Sequence, residues 1–263
     1  MKEFQPFRLL LVFLGGIVLL FIVAPLAGMF IATSPSDLFD TAADREVTGS
    51  IWLTLWTSML ATMIFAVAAV PFSWFLARKK FPGKRLVTGI IDVPVVIPHS
   101  AAGIAILGFV SRDTAVGRLG DSIGISFVGS APGIILAMAF VSIPFLVNAA
   151  RSGFETVPEK LEKAALNLGA SPARVFFTIS LPLAWRSVLS GLIMMWARGM
   201  SEFGAVVIVA YHPMIAPVLI WERFTAFGLS NARPVAVLFI SVCLLFFIVL
   251  RMLSNRFEDA ESK

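Results

Sequence analysis

The sequence predicts an all-α membrane protein with six transmembrane helices and a helix–turn–helix outside the bilayer between spans four and five. Three observations carry that prediction. Hydrophobic residues make up 58% of the 263-residue chain and charged residues only 14%, too little charge to cover a soluble domain of this size. The apolar residues fall in blocks of the roughly 20 residues that a bilayer crossing needs. Between the fourth and fifth blocks the pattern changes to two short amphipathic helices with a break between them.

The spans follow in order, within one membrane domain covering residues 1–263. Span one, about 9–33, is too long for the apolar core of a signal peptide and is read as a mature helix. Residues 34–50 carry Asp37, Asp40, Asp44 and Glu46, a polar loop with a short helix. Span two, about 51–77, has Trp52, Trp56 and Trp74 near its ends, where interfacial anchors belong. A tight basic turn follows. Span three, about 86–110, contains Pro94 and Pro98, which remove two helical hydrogen bonds and interrupt the helix. Broken backbone is tolerated in a membrane only against protein or a water-filled cavity, so span three faces the interior. Residues 111–130 form a Gly-rich outer loop, and span four is about 131–150. Span five, about 183–210, holds Arg198 and Glu202 near its middle. A loop with His212, Pro213, Pro217, Glu222 and Arg223 leads to span six, about 234–253.

Lys and Arg set the orientation. With the helix–turn–helix in the cytoplasm, fifteen basic residues lie on its side and five on the other, with Arg198 inside the membrane. Both termini are then cytoplasmic. A pI near 9.8 could suggest nucleic acid, but the basic residues are spread over short loops rather than one face, so no nucleic-acid partner is expected. The single cysteine, Cys243, excludes an internal disulfide. His99 and His212, with no further Cys or clustered carboxylates, make no metal site.

The segment 156–182 is the most informative. Leu161, Ala164, Ala165 and Leu168 share one helical face. Pro158 suits that helix's first turn, and Gly169 suits its C-terminal end, where a left-handed residue is usual. Ser171 and Pro172 then read as N-cap and first position of a second helix carrying Val175, Phe176 and Ile179. Periodicity alone fits a connecting loop with an amphipathic helix at the lipid interface equally well.

Arg198 and Glu202 stand four apart on one helix. An ionised Arg at mid-bilayer costs about 2.5–3.5 kcal/mol on insertion scales, so it should face the interior and have a partner. A salt bridge that fixes packing and a place in a translocation path both fit. Gly199-Met200-Ser201 resembles the Gly-x-Ser of intramembrane serine proteases, but neither histidine is placed to serve as its base. Residues 82–85 lack the glycines and Ser/Thr of a phosphate loop, so the chain has no nucleotide site and no catalytic residues. An ion-gradient transporter should show inverted repeats with midplane ligands, and none is visible.

Ala164-Ala165, Gly169 and Ile179-x-Leu181-Pro182 resemble the "EAA" signature of ABC importer permeases, Glu-Ala-Ala-x3-Gly-x9-Ile-x-Leu-Pro. Six of its seven fixed positions match; Lys163 stands where the Glu belongs, and Glu162 lies one residue earlier. The stretches Pro94–Gly103, Arg174–Pro182, Trp196–Ala205 and Ala210–Pro217 look like permease subunits of molybdate/tungstate ABC importers, the archaeal branch especially. Sulfate/thiosulfate permeases are close relatives.

The resemblance implies the fold of type I ABC importer permeases and inward movement of a tetrahedral oxyanion by alternating access. It implies a homodimer in the cytoplasmic membrane, two cytoplasmic ATPase subunits that carry ATP and Mg, and an extracytoplasmic oxyanion-binding protein. Glu162, Lys163, Ala164, Ala165, Leu168, Gly169, Ala170, Ser171 and Pro172 would couple to the ATPase. Pro94, Pro98, His99, Ser100, Arg198, Ser201 and Glu202 are candidates for the pathway or its gate.

Overall fold

A computed structural model of the chain describes residues 4–261, so Lys2 and Lys263 of the charge count lie outside the described residues. All regular structure among those residues is helical. The order is α1 (Phe4–Ile31), α2 (Pro35–Ala43), α3 (Arg45–Arg78), α4 (Lys84–Val96), α5 (His99–Val110), α6 (Ala115–Ser122) and α7 (Ala131–Thr156). Then come α8 (Glu159–Asn167), α9 (Pro172–Val175), a π-helical turn (Phe176–Ser180), α10 (Leu181–Met200), α11 (Gly204–Val209), α12 (Ala216–Phe227) and α13 (Leu229–Glu261).

Five helical stretches are long and apolar enough to cross a membrane, and the bent pair α4–α5 makes six if it counts as one broken crossing. The loop expected at 34–50 shrinks to Ala32–Ser34 and Asp44, because Ser34 accepts from the Asp37 N–H and Asp44 from the Glu46 N–H, capping α2 and α3 in turn. Pro25, Pro71, Pro144 and Pro234 sit inside continuous helices. At Ile97–Pro98 the chain does break, and α4 and α5 meet at 111°.

The expectation of a single helix over 183–210 fails. The helix α10 stops at Met200, and Arg198 therefore sits in its last turn rather than mid-helix. Glu202 ends it by turning its carboxylate onto the Ala205 N–H at 2.8 Å, which starts α11 afresh. The expected loop before span six is also mostly helix: Thr54 Oγ1 accepts from the Ala216 N–H at 2.8 Å, and α12 begins there.

The central helix is α7, packed between α3 and α10. Its Ile134, Met138, Leu146 and Phe154 are fully buried against Leu76 of α3 and Val188 and Met195 of α10. A second cluster joins Val47, Ile51 and Leu55 of α3 to Trp196, Leu219 and Phe239. Lipid is as apolar as these side chains, so close fit rather than water exclusion holds the helices together. The small residues show it: a Cβ on Gly191 would meet Ala149 at 3.0 Å, and one on Gly153 would collide with Ser187. The buried hydroxyls of Ser50, Thr54, Thr57, Ser58, Thr62 and Ser73 on α3 all bond back to carbonyls of their own helix, so that polar stripe lies in the core without orphaned donors. By contrast, the most apolar stretch of α1 is wholly unburied.

Candidate functional site

Two places combine special backbone with polar chemistry. The first is the segment between α7 and α10. At the end of α8 the Gly169 N–H reaches the Leu166 carbonyl at 2.9 Å and the Ala170 N–H reaches the Ala165 carbonyl at 3.0 Å. With Gly169 at φ 88° this is a Schellman cap, which satisfies carbonyls that would otherwise be orphaned. Ser171 Oγ then accepts from the Arg174 N–H, and Pro172 takes the first position of α9. The π-helical turn joins α9 to α10, so the segment runs into the fifth crossing without a loop.

Glu162 is the only buried residue of α8. Its carboxylate accepts from Arg78 Nε (2.8 Å) and Nη2 (2.9 Å), Trp74 Nε1 (3.3 Å) and Ser180 Oγ (2.6 Å). Arg78 Nη2 also bonds the Val157 carbonyl at 2.9 Å. Burial pushes the Glu162 carboxyl pKa up, but these hydrogen bonds and the Arg78 charge outweigh it and hold the group below its ordinary range. One carboxylate thus fastens α8 to the end of α3 and to the π-helical turn. Sequence reading placed Trp74 at an interface and Arg78 in a basic turn, and nothing in their spacing announced this partner.

The apolar face of α8 is not packed inward. Leu161 is exposed and Leu168 is 89% exposed. Lys163 pairs with exposed Glu159, at 2.8 Å. Ala164, Gly169, Ser171 and Pro172 are exposed, while Ala165 and Ala170 are half-buried. The face that periodicity draws through Leu161, Ala164 and Leu168 is therefore an outward-facing apolar surface, while Glu162 takes the inner side of the helix.

The second place lies where the α4–α5 break meets the α10–α11 break. Glu202, fully buried, receives Arg198 Nη2 on Oε2 at 2.9 Å and the Ala205 N–H on Oε1. His99 Nδ1 lies 3.2 Å from the same Oε2, and its Nε2 lies 2.9 Å from Arg198 Nη2. Its Nδ1 lies 3.0 Å from the same Arg198 nitrogen, so the guanidinium sits against both nitrogens of the imidazole. Arg198 Nη1 reaches Ser201 Oγ at 3.2 Å. The two breaks are pressed together by missing side chains. A Cβ on Gly204 would come within 2.7 Å of His99 Cβ, and one on Gly103 within 2.8 Å of the Ala205 carbonyl.

Of the residues singled out for the pathway, the structure brings His99, Arg198, Ser201 and Glu202 into this cluster. Ser100 is next to it through its N–H, 3.3 Å from a Gly204 Cβ position. Pro98 caps the start of α5, whereas Pro94 is buried within α4 away from the polar contacts. An intramembrane pair that sequence reading did not join is Asp92 and Asn148, whose amide donates to the carboxylate at 2.6 Å. No group of His, Cys, Asp and Glu among the described residues could hold a metal ion.

Residues 69–259 match the family described as the binding-protein-dependent transport system inner membrane component. The chain is 44% identical over 245 residues to the molybdate/tungstate transport system permease protein WtpB of Thermococcus kodakarensis, covering 92% of this chain and 94% of that protein. It is 33% identical to a probable sulfate transport system permease protein, cysT, of Chlorokybus atmophyticus, over 79% of this chain and 74% of the relative. In structure it is similar to a bacterial ABC transporter involved in import of the acidic polysaccharide alginate, with a TM-score of 0.74, 16% identity and 96% of both chains covered.

Proposed function

Because the chain belongs to the family of binding-protein-dependent transport system inner membrane components, a multi-pass permease subunit whose ATPase is a separate protein, we propose that it carries molybdate or tungstate inward as half of a homodimeric ABC importer. Membership itself brings ATPase and binding-protein partners and a dimeric arrangement in general. The finer assembly proposed is two copies of this chain, two cytoplasmic ATPases holding ATP and Mg, and an outer protein that delivers the oxyanion. The substrate reading rests on the 44% identity to a molybdate/tungstate permease. A sulfate carrier is the second reading, favoured by the 33% identical sulfate permease relative.

The observation that carries the proposal is the outward leucine face of α8 on a rigidly held segment. Leu161 and Leu168 offer an apolar surface that none of the described residues covers, while Glu162 ties the same helix to α3 and to the π-helical turn before α10. A partner gripping that face moves both crossings together. On this reading α8 and α9 lie in the cytoplasm with both termini, and ATPase closure rocks the breaks at 97–98 and 201–203 between outward-open and inward-open states.

The test is co-purification in detergent with the partner ATPase, with and without deletion of residues 162–172. Two-to-two association that the deletion abolishes is expected. A stably folded chain that binds no ATPase would overturn the proposal. Competition of tungstate uptake by molybdate and by sulfate separates the two substrate readings.

A further inference from the structure

The cluster at the two helix breaks has the shape of an anion site already filled by the protein's own carboxylate. Glu202 is fully buried, and what surrounds it is what a free oxyanion would need: the Arg198 guanidinium at 2.9 Å, the Ala205 N–H at 2.8 Å and His99 Nδ1 at 3.2 Å. The layering is ordered. Glu202 lies innermost, while the Arg198 and His99 side chains are 19% and 39% exposed, so both present an outer edge. The uncapped N-terminus of the twelve-residue α5 opens beside them.

Resting on the oxyanion-importer reading, we infer that the exposed edges of Arg198 and His99 form a transient subsite for a tetrahedral oxyanion, with Glu202 as its built-in counter-charge. A guanidinium presents five donors in a fork suited to oxyanions, and Glu202 uses only one nitrogen of it. The same carboxylate orients both side chains and cancels the guanidinium charge. That cancellation is what a carrier needs, since conduction requires an ion bound firmly enough to enter and weakly enough to leave. An isolated Arg in a low-dielectric path would trap a dianion; an Arg already paired does not. Because the cluster joins α4–α5 to α10–α11, rocking of the breaks alters access to the subsite as it moves the helices.

The test uses the complete transporter in proteoliposomes, with tungstate as probe and Glu202→Gln and Arg198→Gln as variants. The carboxamide of E202Q keeps the shape and an oxygen for the Ala205 N–H but removes the charge. It should raise tungstate retention by the detergent-solubilised permease–ATPase complex by about tenfold or more, the direction set by unscreened attraction in a low-dielectric site, and slow tungstate uptake. R198Q should abolish retention and uptake in a complex that still co-purifies with its ATPase. Uptake at the wild-type rate by R198Q, or retention unchanged in E202Q, would overturn the subsite. Should R198Q fail to assemble, the E202Q result decides alone. A wild-type complex that takes up neither molybdate, tungstate nor sulfate would instead remove the importer reading and the subsite with it, an outcome distinct from variants that merely match a working wild type.

Discussion

Replacing Glu162 with Ala tests the fastening of α8 most sharply. The substitution removes four hydrogen bonds, two from Arg78 and one each from Trp74 and Ser180. It also strands Arg78, whose side chain is 9% exposed, next to a vacated space. Breaking a buried ion pair from one side costs about 3–5 kcal/mol. Arg78 keeps the Val157 carbonyl and stands at the very end of α3, so about 3 kcal/mol is the fitting value, close to a hundredfold in the docked-to-undocked ratio. The loss is local, because the α3–α7–α10 core does not contain Glu162. Hydrogen exchange should therefore accelerate over 159–170 while α7 keeps its protection, and ATPase stimulation by loaded binding protein should fall. The pH dependence has a definite sign. The folded pKa lies below the ordinary 4.5, so the contribution is fully present above pH 4.5 and is lost as pH falls through the lower folded value. Docking of α8 should thus be indifferent to pH between neutral and mildly acidic conditions. Unchanged exchange over 159–170 in Glu162→Ala would refute the reasoning.

Gly169→Val should impair coupling through the backbone alone: a Cβ there meets nothing within 4 Å, but φ is 88°, and a β-branched residue in that region costs about 1–3 kcal/mol. Its measurement is ATPase stimulation by loaded binding protein, expected to drop while the chain still assembles; full stimulation would contradict the turn's role. Gly103→Ala places a Cβ 2.8 Å from the Ala205 carbonyl, and backbone cannot yield as a side chain can, so α5 and α11 must separate. Overpacking of this kind costs about 1–3 kcal/mol, to be read as a lowered detergent melting temperature together with reduced uptake. Asn148→Leu should destabilise by about 1–3 kcal/mol, since it leaves the Asp92 carboxylate without its amide donor inside the membrane; equal melting temperatures would show another group serving Asp92.

The crossings were legible because a bilayer imposes a length on apolar blocks, and the break at Pro98 was legible because proline deletes a hydrogen bond wherever it sits. The turn at Gly169 could be read for the same local reason. What local pattern could not show was which partner wins when two compete. Periodicity draws one apolar face through Leu161 and Leu168 but does not say which way it points; a charged residue one position away turns inward instead, because Arg78, Trp74 and Ser180 converge on it. Likewise Glu202 reads as an i,i+4 partner of Arg198 on a continuous helix. It keeps that partner and ends the helix as well, by capturing the Ala205 N–H. His99 joins them only through the packing of Gly103 and Gly204.

ATP-dependent tungstate uptake decides the central claim most directly. Proteoliposomes would hold this chain with its ATPase, and loaded binding protein would be added outside. The account predicts accumulation that requires ATP, the binding protein and an intact 162–172 segment together. Uptake that proceeds without ATP on an imposed ion gradient, or that survives removal of that segment, would contradict it.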